Sequence, residues 1–117
     1  MDSVVREKSK KLAVRIVRLY QYLSEEKREY VMSKQIVRSG TSIGANVYEA
    51  LQGQSKADFT AKMSIALKEV SETEYWLELL RETDYLNEEE YQSIQKDCGE
   101  VAKLLTSIVK TSRQSRK

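Results

Sequence analysis

The amino-acid sequence predicts an all-α protein, an antiparallel up-down-up-down four-helix bundle that occupies residues 1–117 as a single domain. The 117 residues include no proline and only four glycines, so few positions interrupt regular structure. Aliphatic residues recur at three- and four-residue steps, a spacing typical of amphipathic helices. Short links join the later helices, and short links place consecutive helices antiparallel. A chain of this length builds one hydrophobic core but not two.

Turn and cap residues set the predicted helix bounds. The helices are predicted at about residues 3–23, 29–51, 56–83 and 88–111, followed by a basic, frayed tail at residues 112–117. Ser3 and Ser55 are predicted N-caps, because a serine hydroxyl accepts a hydrogen bond from an unpaired amide of the first helical turn. Asn87 is the third predicted cap, with Glu90 placed to complete a capping box.

Each predicted helix has one apolar stripe that faces the core. In chain order the stripes contain Val5, Leu12, Ile16, Leu19, Tyr20 and Leu23; Ile36, Gly40, Ile43, Val47, Ala50 and Leu51; Phe59, Met63, Ala66, Val70, Thr73, Leu77 and Leu80; and Tyr91, Ile94, Cys98, Val101, Leu104, Leu105 and Ile108. Gly40 and Gly44 would each cost about 1 kcal/mol relative to alanine in a helix interior. We therefore expect a neighbouring helix to come close to the backbone there.

The formal net charge of +2 conceals a strong segregation of charge. Residues 1–40 hold ten Lys and Arg against five Asp and Glu, whereas residues 69–100 hold two against eleven. Residues 101–117 hold five Lys and Arg and no acid. Such asymmetry indicates either an anionic partner or charge pairing between neighbouring helices or subunits. For a helical bundle, charge pairing is the favoured interpretation.

The sequence indicates a cytoplasmic protein. No apolar run approaches the roughly 18 residues needed to cross a membrane, and the first residues lack the apolar core of a signal peptide. Cys98 is the one cysteine, so the chain forms no internal disulfide, which fits a reducing compartment.

The residue types needed for common catalytic chemistry are missing, so we predict a binding or scaffolding protein and no enzyme. The chain has no histidine, which removes the commonest general base and metal ligand. Cys98 falls on a predicted core stripe, where an inert thiol is favoured over a reactive one. Glu69, Glu72 and Glu74 could bind a hard cation, but a solvated acidic face is the favoured interpretation. We predict no cofactor and no metal site.

Two surfaces are candidates for function. The first is a basic flank of the first helix, with residues spaced three, four and three apart as a candidate nucleic-acid-binding site: Lys8, Lys11, Arg15 and Arg18. The second is a face of the second helix away from its core stripe, small and neutral in its centre: Gln35, Arg38, Ser39, Ser42, Ala45, Asn46 and Glu49. Serine and asparagine are poor helix formers, so this face is either a second packing surface, within the bundle or between subunits, or an ordinary polar face.

A family resemblance becomes visible in the second helix and the link that follows it. The chain reads SKQIVRSGTSIGANVYEA at residues 33–50 and GQSKADF at residues 53–59. These stretches closely resemble the signature of the bacterial "four helix bundle protein" family, which is related to proteins encoded in intervening sequences of large-subunit ribosomal RNA genes. Residues 65–70 and 72–77, IALKEV and ETEYWL, match as well, and the resemblance covers essentially the whole chain.

The resemblance implies an oligomeric assembly, which the residue patterns alone do not predict. Members of the family are antiparallel four-helix bundles that form ring-shaped homopentamers with a central channel. A related branch, the accessory variability proteins of diversity-generating retroelements, binds a reverse transcriptase and nucleic acid through a basic surface.

Two hypotheses for function follow. The first is a non-enzymatic homo-oligomeric scaffold, a pentamer by resemblance, that binds RNA or a ribonucleoprotein through its basic surface. Against it, the basic flank has no aromatic residue for base stacking, and the pI of about 8.6 lies below the value of about 9 usual for nucleic-acid-binding domains. The alternative is a protein–protein interaction adaptor without nucleic-acid binding, whose basic flank pairs with the acidic segment at residues 69–100.

Overall fold

The structure is a computed structural model that describes residues 2–114, with side chains from residue 4 onward. Its helices in chain order are α1 (Asp2–Glu25), α2 (Met32–Leu51), α3 (Lys56–Glu82) and α4 (Glu88–Gln114). Each helix packs against its neighbours in the sequence, and α4 closes the square against α1. Within the described residues there is no strand, and the predicted all-α four-helix bundle is confirmed.

The core is formed where the four apolar stripes meet along the bundle axis. Its buried apolar residues are Val5, Leu12, Ile16, Leu23, Ile36, Ile43, Val47, Ala50, Met63, Ala66, Val70, Leu77, Leu80, Leu86, Tyr91, Ile94, Cys98, Val101, Leu105, Ile108 and Val109. Five residues of the predicted stripes are only half-buried, because they lie at the stripe edges: Leu19, Tyr20, Leu51, Phe59 and Leu104. In residues 2–114, no helix combines the length and apolar composition needed to cross a bilayer.

The close helix approach predicted at the two glycines of α2 is present on its α1 side. A Cβ atom added to Gly40 would lie 2.6 Å from Cγ2 of Ile16. At Gly44 the same added atom would lie 3.5 Å from the main-chain oxygen of Ser9. Ser9 is fully buried, so small residues on both helices allow α1 and α2 to pack closely.

The predicted start of α2 at residue 29 is wrong, because the helix begins at Met32. Arg28 has a positive φ of 53°, which turns the chain before the helix. The buried carboxylate of Glu29 then accepts hydrogen bonds from the amides of Val31 (3.1 Å), Met32 (3.0 Å) and Ser33 (2.8 Å). Glu29 therefore caps α2 from outside and satisfies the amides that a helix start leaves without partners.

Two of the predicted N-caps are confirmed. The Ser55 hydroxyl accepts a hydrogen bond from the amide of Asp58 at 3.0 Å. Asn87 and Glu90 form a reciprocal capping box, in which the Glu90 amide donates to Asn87 Oδ1 (2.7 Å) and the Asn87 amide donates to Glu90 Oε1 (2.9 Å). The predicted cap at Ser3 lies outside the described side chains.

The predicted frayed tail from residue 112 is wrong for its first three residues, because α4 continues to Gln114. Ser112 is buried and its hydroxyl hydrogen-bonds to the hydroxyl of Thr60 in α3. Arg113 reaches Ser64 Oγ at 3.5 Å. The contact with α3 thus holds one further turn of α4 in place. Residues 115–117 of the predicted tail lie outside the described residues.

Candidate functional site

The four cations of the basic flank lie together on the side of α1 that faces α4. Two of them pair with acids of α4: Lys8 Nζ lies 3.7 Å from Glu100 Oε1, and Arg15 Nη1 lies 2.8 Å from Asp97 Oδ2. All four of these side chains keep between 38 and 47% of their surface exposed. Exposed ion pairs contribute about 0–1 kcal/mol each, so they neutralise charge more than they hold the helices together.

Arg15 is the most constrained cation of the basic flank. Besides Asp97 it donates to the main-chain oxygen of Ser93 (3.1 Å) and, through Nη2, to the Ser93 hydroxyl (3.1 Å). Its guanidinium group is therefore committed to the α1–α4 contact. A phosphate group would have to displace these partners to bind Arg15.

Lys11 and Arg18 keep their charge available to solvent. Both are exposed, and Arg18 donates only to Gln21 Oε1 of its own helix, at 3.2 Å. Within the described side chains, neither has an acidic group at ion-pair distance. The structure thus brings the four predicted residues to one flank and leaves two of them without an ion-pair partner among the described side chains.

Part of the second candidate face, on α2, is turned toward α3. Ser39 is fully buried, and its hydroxyl lies 2.9 Å from the Thr73 hydroxyl. Arg38 forms ion pairs with Glu72 and, at 3.8 Å, with Glu69. For these residues the packing partner is a helix of the same bundle.

The other end of this face makes a further contact with α3. Glu49 Oε1 lies 3.0 Å from Lys62 Nζ, and this hydrogen bond and the charge of Glu49 raise the pKa of Lys62. The half-buried Ser42 and Asn46 bond back to carbonyl groups of α2, at 2.7 and 2.8 Å. Of the seven predicted residues, Gln35 and Ala45 are exposed without such a contact.

Ala45 borders a shallow depression of about 300 Å³ between the outer sides of α1 and α2. Ala13, Thr41 and Gly44 also line it, and Tyr48, with 37% of its surface exposed, forms one wall. This depression extends the small-residue surface of α2 onto α1. It is open to solvent, whereas Ser39 is buried.

A groove between α1 and α4 was missed by sequence reasoning. It has a volume of about 580 Å³, and its apolar lining residues are Val14, Leu19, Tyr22, Leu86 and Ile94. Arg15 and Arg18 lie on its α1 side, and Glu89 and Glu90 on its α4 side. The signal in the sequence was Val14, a valine opposite the core stripe of α1 that is 51% exposed.

The groups considered for catalysis are occupied or buried. Cys98 is fully buried, and burial raises its pKa to about 12, so the thiol stays protonated. Glu69 and Glu72 face Arg38, and Glu74 accepts a hydrogen bond of 2.7 Å from Gln95 Nε2. Across residues 4–114 no group of three or more His, Cys, Asp or Glu side chains is placed to hold a metal ion.

Comparisons with known proteins confirm the family resemblance seen in the sequence. The sequence profile of a family described as "23S rRNA-intervening sequence protein" matches residues 1–107. A similar crystal structure is that of a Bacteroides thetaiotaomicron protein of unknown function from the S23 ribosomal protein family. It is 61% identical with a TM-score of 0.92, and the match covers 93% of this chain and 97% of that one. No curated protein matches this chain.

Proposed function

Because this chain belongs to the family of 23S rRNA-intervening sequence proteins, we propose that it is a cytoplasmic, non-enzymatic scaffold that assembles with copies of itself and binds RNA. The family description links such chains to ribosomal RNA genes. The absence of histidine and the burial of Cys98 support a role without catalysis. The single unpaired cysteine supports a reducing compartment.

The observation that carries RNA binding is the pair of cations on α1 that have no acid at ion-pair distance among the described side chains. Lys11 and Arg18 are seven residues apart, so they lie two turns apart on nearly the same side of the helix. A cation without an internal partner releases counterions from RNA when it meets a phosphate, and this release drives association at low salt. Lys8 and Arg15 contribute less, because binding would cost them their α4 partners.

Self-assembly is supported by an exposed small residue of α2. Ala45 lets a second chain come close, and Tyr48 offers apolar surface beside it. A modest number of cations per chain becomes a large array when several copies assemble. Assembly would therefore compensate for the few free cations of one chain.

The RNA hypothesis is tested with a fluorescently labelled RNA stem-loop in a titration at several salt concentrations. We expect the variant Lys11→Glu/Arg18→Glu to bind at least tenfold more weakly than the wild type, because phosphates then meet two anions. The matched control is Lys34→Glu/Lys68→Glu, which makes the same change in net charge on exposed positions of α2 and α3. A wild type that fails to bind at roughly 50 mM salt contradicts RNA binding altogether.

Assembly is tested by light scattering. We expect the wild type to be an oligomer and Ala45→Arg to shift toward the monomer, because a long charged side chain would fill the depression. Ala61→Arg, a substitution of the same kind at an exposed position of α3, should leave the oligomer intact. A monomeric wild type at tens of micromolar contradicts self-assembly.

One observation favours the alternative of a protein adaptor without nucleic-acid binding. Lys8 and Arg15 already pair with Glu100 and Asp97, as expected if the basic flank serves the bundle itself. The apolar groove between α1 and α4 would then be the surface for a protein partner. The RNA titration separates the two hypotheses, because the adaptor predicts no salt-dependent RNA binding.

A further inference from the structure

A row of lysines on α4 takes no part in the surfaces described so far. Lys96, Lys103 and Lys110 are spaced seven residues apart, so they lie on one side of the helix and about 10 Å from one to the next. All three are exposed. Within the described side chains, none has an acid at ion-pair distance. Lys8 and Arg15, in contrast, each pair with an acid of α4.

The surroundings of the row are cationic toward the end of α4. Two acids lie between Lys96 and Lys103 along α4, Asp97 and Glu100, and they pair with Arg15 and Lys8 of α1. From residue 101 to 114 the helix contains no acid, and Arg113 adds a further exposed cation. On the neighbouring α3, the side chain that Arg113 reaches is the neutral Ser64.

Gly99 lies between the first two lysines of the row and has no internal reason to be a glycine. A Cβ atom added there would meet nothing within 4 Å, in contrast to Gly40. Its φ is not positive, so its backbone conformation suits any residue. Glycine weakens a helix interior, and it lets another backbone approach closely. A ligand that lies along this side of α4 would account for it.

We propose that the outward side of α4 formed by Lys96, Gly99, Lys103 and Lys110, the α4 lysine row, contacts the sugar-phosphate backbone of RNA. The proposal rests on the proposed RNA binding and assigns it a second surface. Evenly spaced lysines without acidic partners match a ligand that carries charge along its whole length. The row includes no apolar residue, whereas the centre of a stable protein interface is apolar. An RNA backbone fits the row better than an acidic protein does.

The charge of the row is tested with Lys103→Gln/Lys110→Gln and the labelled RNA stem-loop. We expect affinity to fall about tenfold, and the slope of log affinity against log salt to lose about 1.5 units, because two phosphate contacts are removed. The control Lys34→Gln/Lys68→Gln removes the same charge elsewhere and should stay within twofold of the wild type. Light scattering confirms that each variant assembles as the wild type does.

The close approach is tested with Gly99→Gln. We expect a higher Tm, because glutamine is the better helix former, together with RNA affinity at least threefold lower, because its side chain keeps the RNA backbone away. If either Lys103→Gln/Lys110→Gln or Gly99→Gln binds RNA with wild-type affinity, the inference is overturned, while RNA binding itself stands. If the wild type binds no RNA at low salt, the proposed function fails and the inference with it.

Discussion

Gly40 and Gly99 both lie inside helices, but their surroundings are opposite. Gly40 faces the branched side chain of Ile16, with 2.6 Å between an added Cβ and Cγ2, whereas Gly99 faces open space. Isoleucine is stiff at its first side-chain torsion, so Ile16 cannot move aside without strain. The same residue type thus serves packing at one site and has no packing role at the other.

We therefore expect Gly40→Ala and Gly99→Ala to change stability in opposite directions. Overpacking costs about 1–3 kcal/mol, which outweighs the gain in helix propensity at Gly40. At Gly99 the gain of about 1 kcal/mol is realised in full. Urea unfolding monitored by circular dichroism measures both. Equal changes in the free energy of unfolding would show that helix propensity, and not packing, determines the stability of both variants.

Cys98 gives the stability a dependence on alkaline pH. Burial, with the nearby charges of Glu74 and Asp97, raises the thiol pKa from about 9.0 to about 12 in the folded state. The stability contributed by the neutral thiol is complete below about pH 9 and is lost as the pH rises toward 12. Between pH 8 and 10, the wild type should lose about 1 kcal/mol more than Cys98→Ala does. Parallel pH profiles for the two proteins would contradict this.

At the scale of the helix, α2 depends on a residue that is not part of it. Glu29 accepts three amide hydrogen bonds at the start of α2, while Val31 at the cap position offers no side-chain acceptor. The hydroxyl of Ser33 donates back to the Glu29 carbonyl at 2.7 Å. The carboxylate thus acts as the cap that a serine or asparagine supplies in α3 and before α4.

We expect Glu29→Ala to lower the free energy of unfolding by about 2 kcal/mol, because three amides at the start of α2 lose a charged acceptor. Glu29→Gln should lose less, since its amide oxygen still accepts. Glu26→Ala is the matched control, as Glu26 is exposed in the same connection. Urea unfolding gives the free energy of unfolding of all three variants. An equal effect of the two alanine substitutions would contradict the capping role of Glu29.

At the scale of the whole molecule, the four helix contacts are unequal. The α2–α3 contact is the most extensive, and the α1–α4 contact is the least and includes the exposed pairs at Lys8 and Arg15. The open groove lies along the same α1–α4 side. Packing between helices is thus most extensive between α2 and α3 and least extensive where α4 meets α1.

We expect native-state hydrogen exchange to follow this order, because exchange through local opening is slowest where packing is most extensive. Amides around Ile43 and Val70 should exchange at least tenfold more slowly than those around Leu12 and Val101. The measurement is made at neutral pH. Equal exchange rates in all four helices would mean that the bundle opens only as a unit.

Charge is also distributed along the 49 Å length of the bundle. The turn between α3 and α4 and the start of α4 carry Asp84, Glu88, Glu89 and Glu90, while the C-terminal half of α4 carries the last two lysines of the α4 lysine row. We expect this polarity to favour contact of a polyanion with the α4 lysine row over contact with Arg18, which lies across the groove from Glu89 and Glu90.

The sequence by itself determined the all-α bundle, most of the buried residues, two N-caps and the close approach at Gly40 and Gly44. These depend on spacing and local backbone chemistry, which a single helix already displays. Only the tertiary structure decided which helix each polar face meets, because charge pairing and burial arise between segments far apart in the chain. It turned Ser39 toward Thr73, committed Lys8 and Arg15 to α4, and held Ser112 against Thr60. For the same reason, the tertiary structure left Lys11, Arg18 and the α4 lysine row facing solvent.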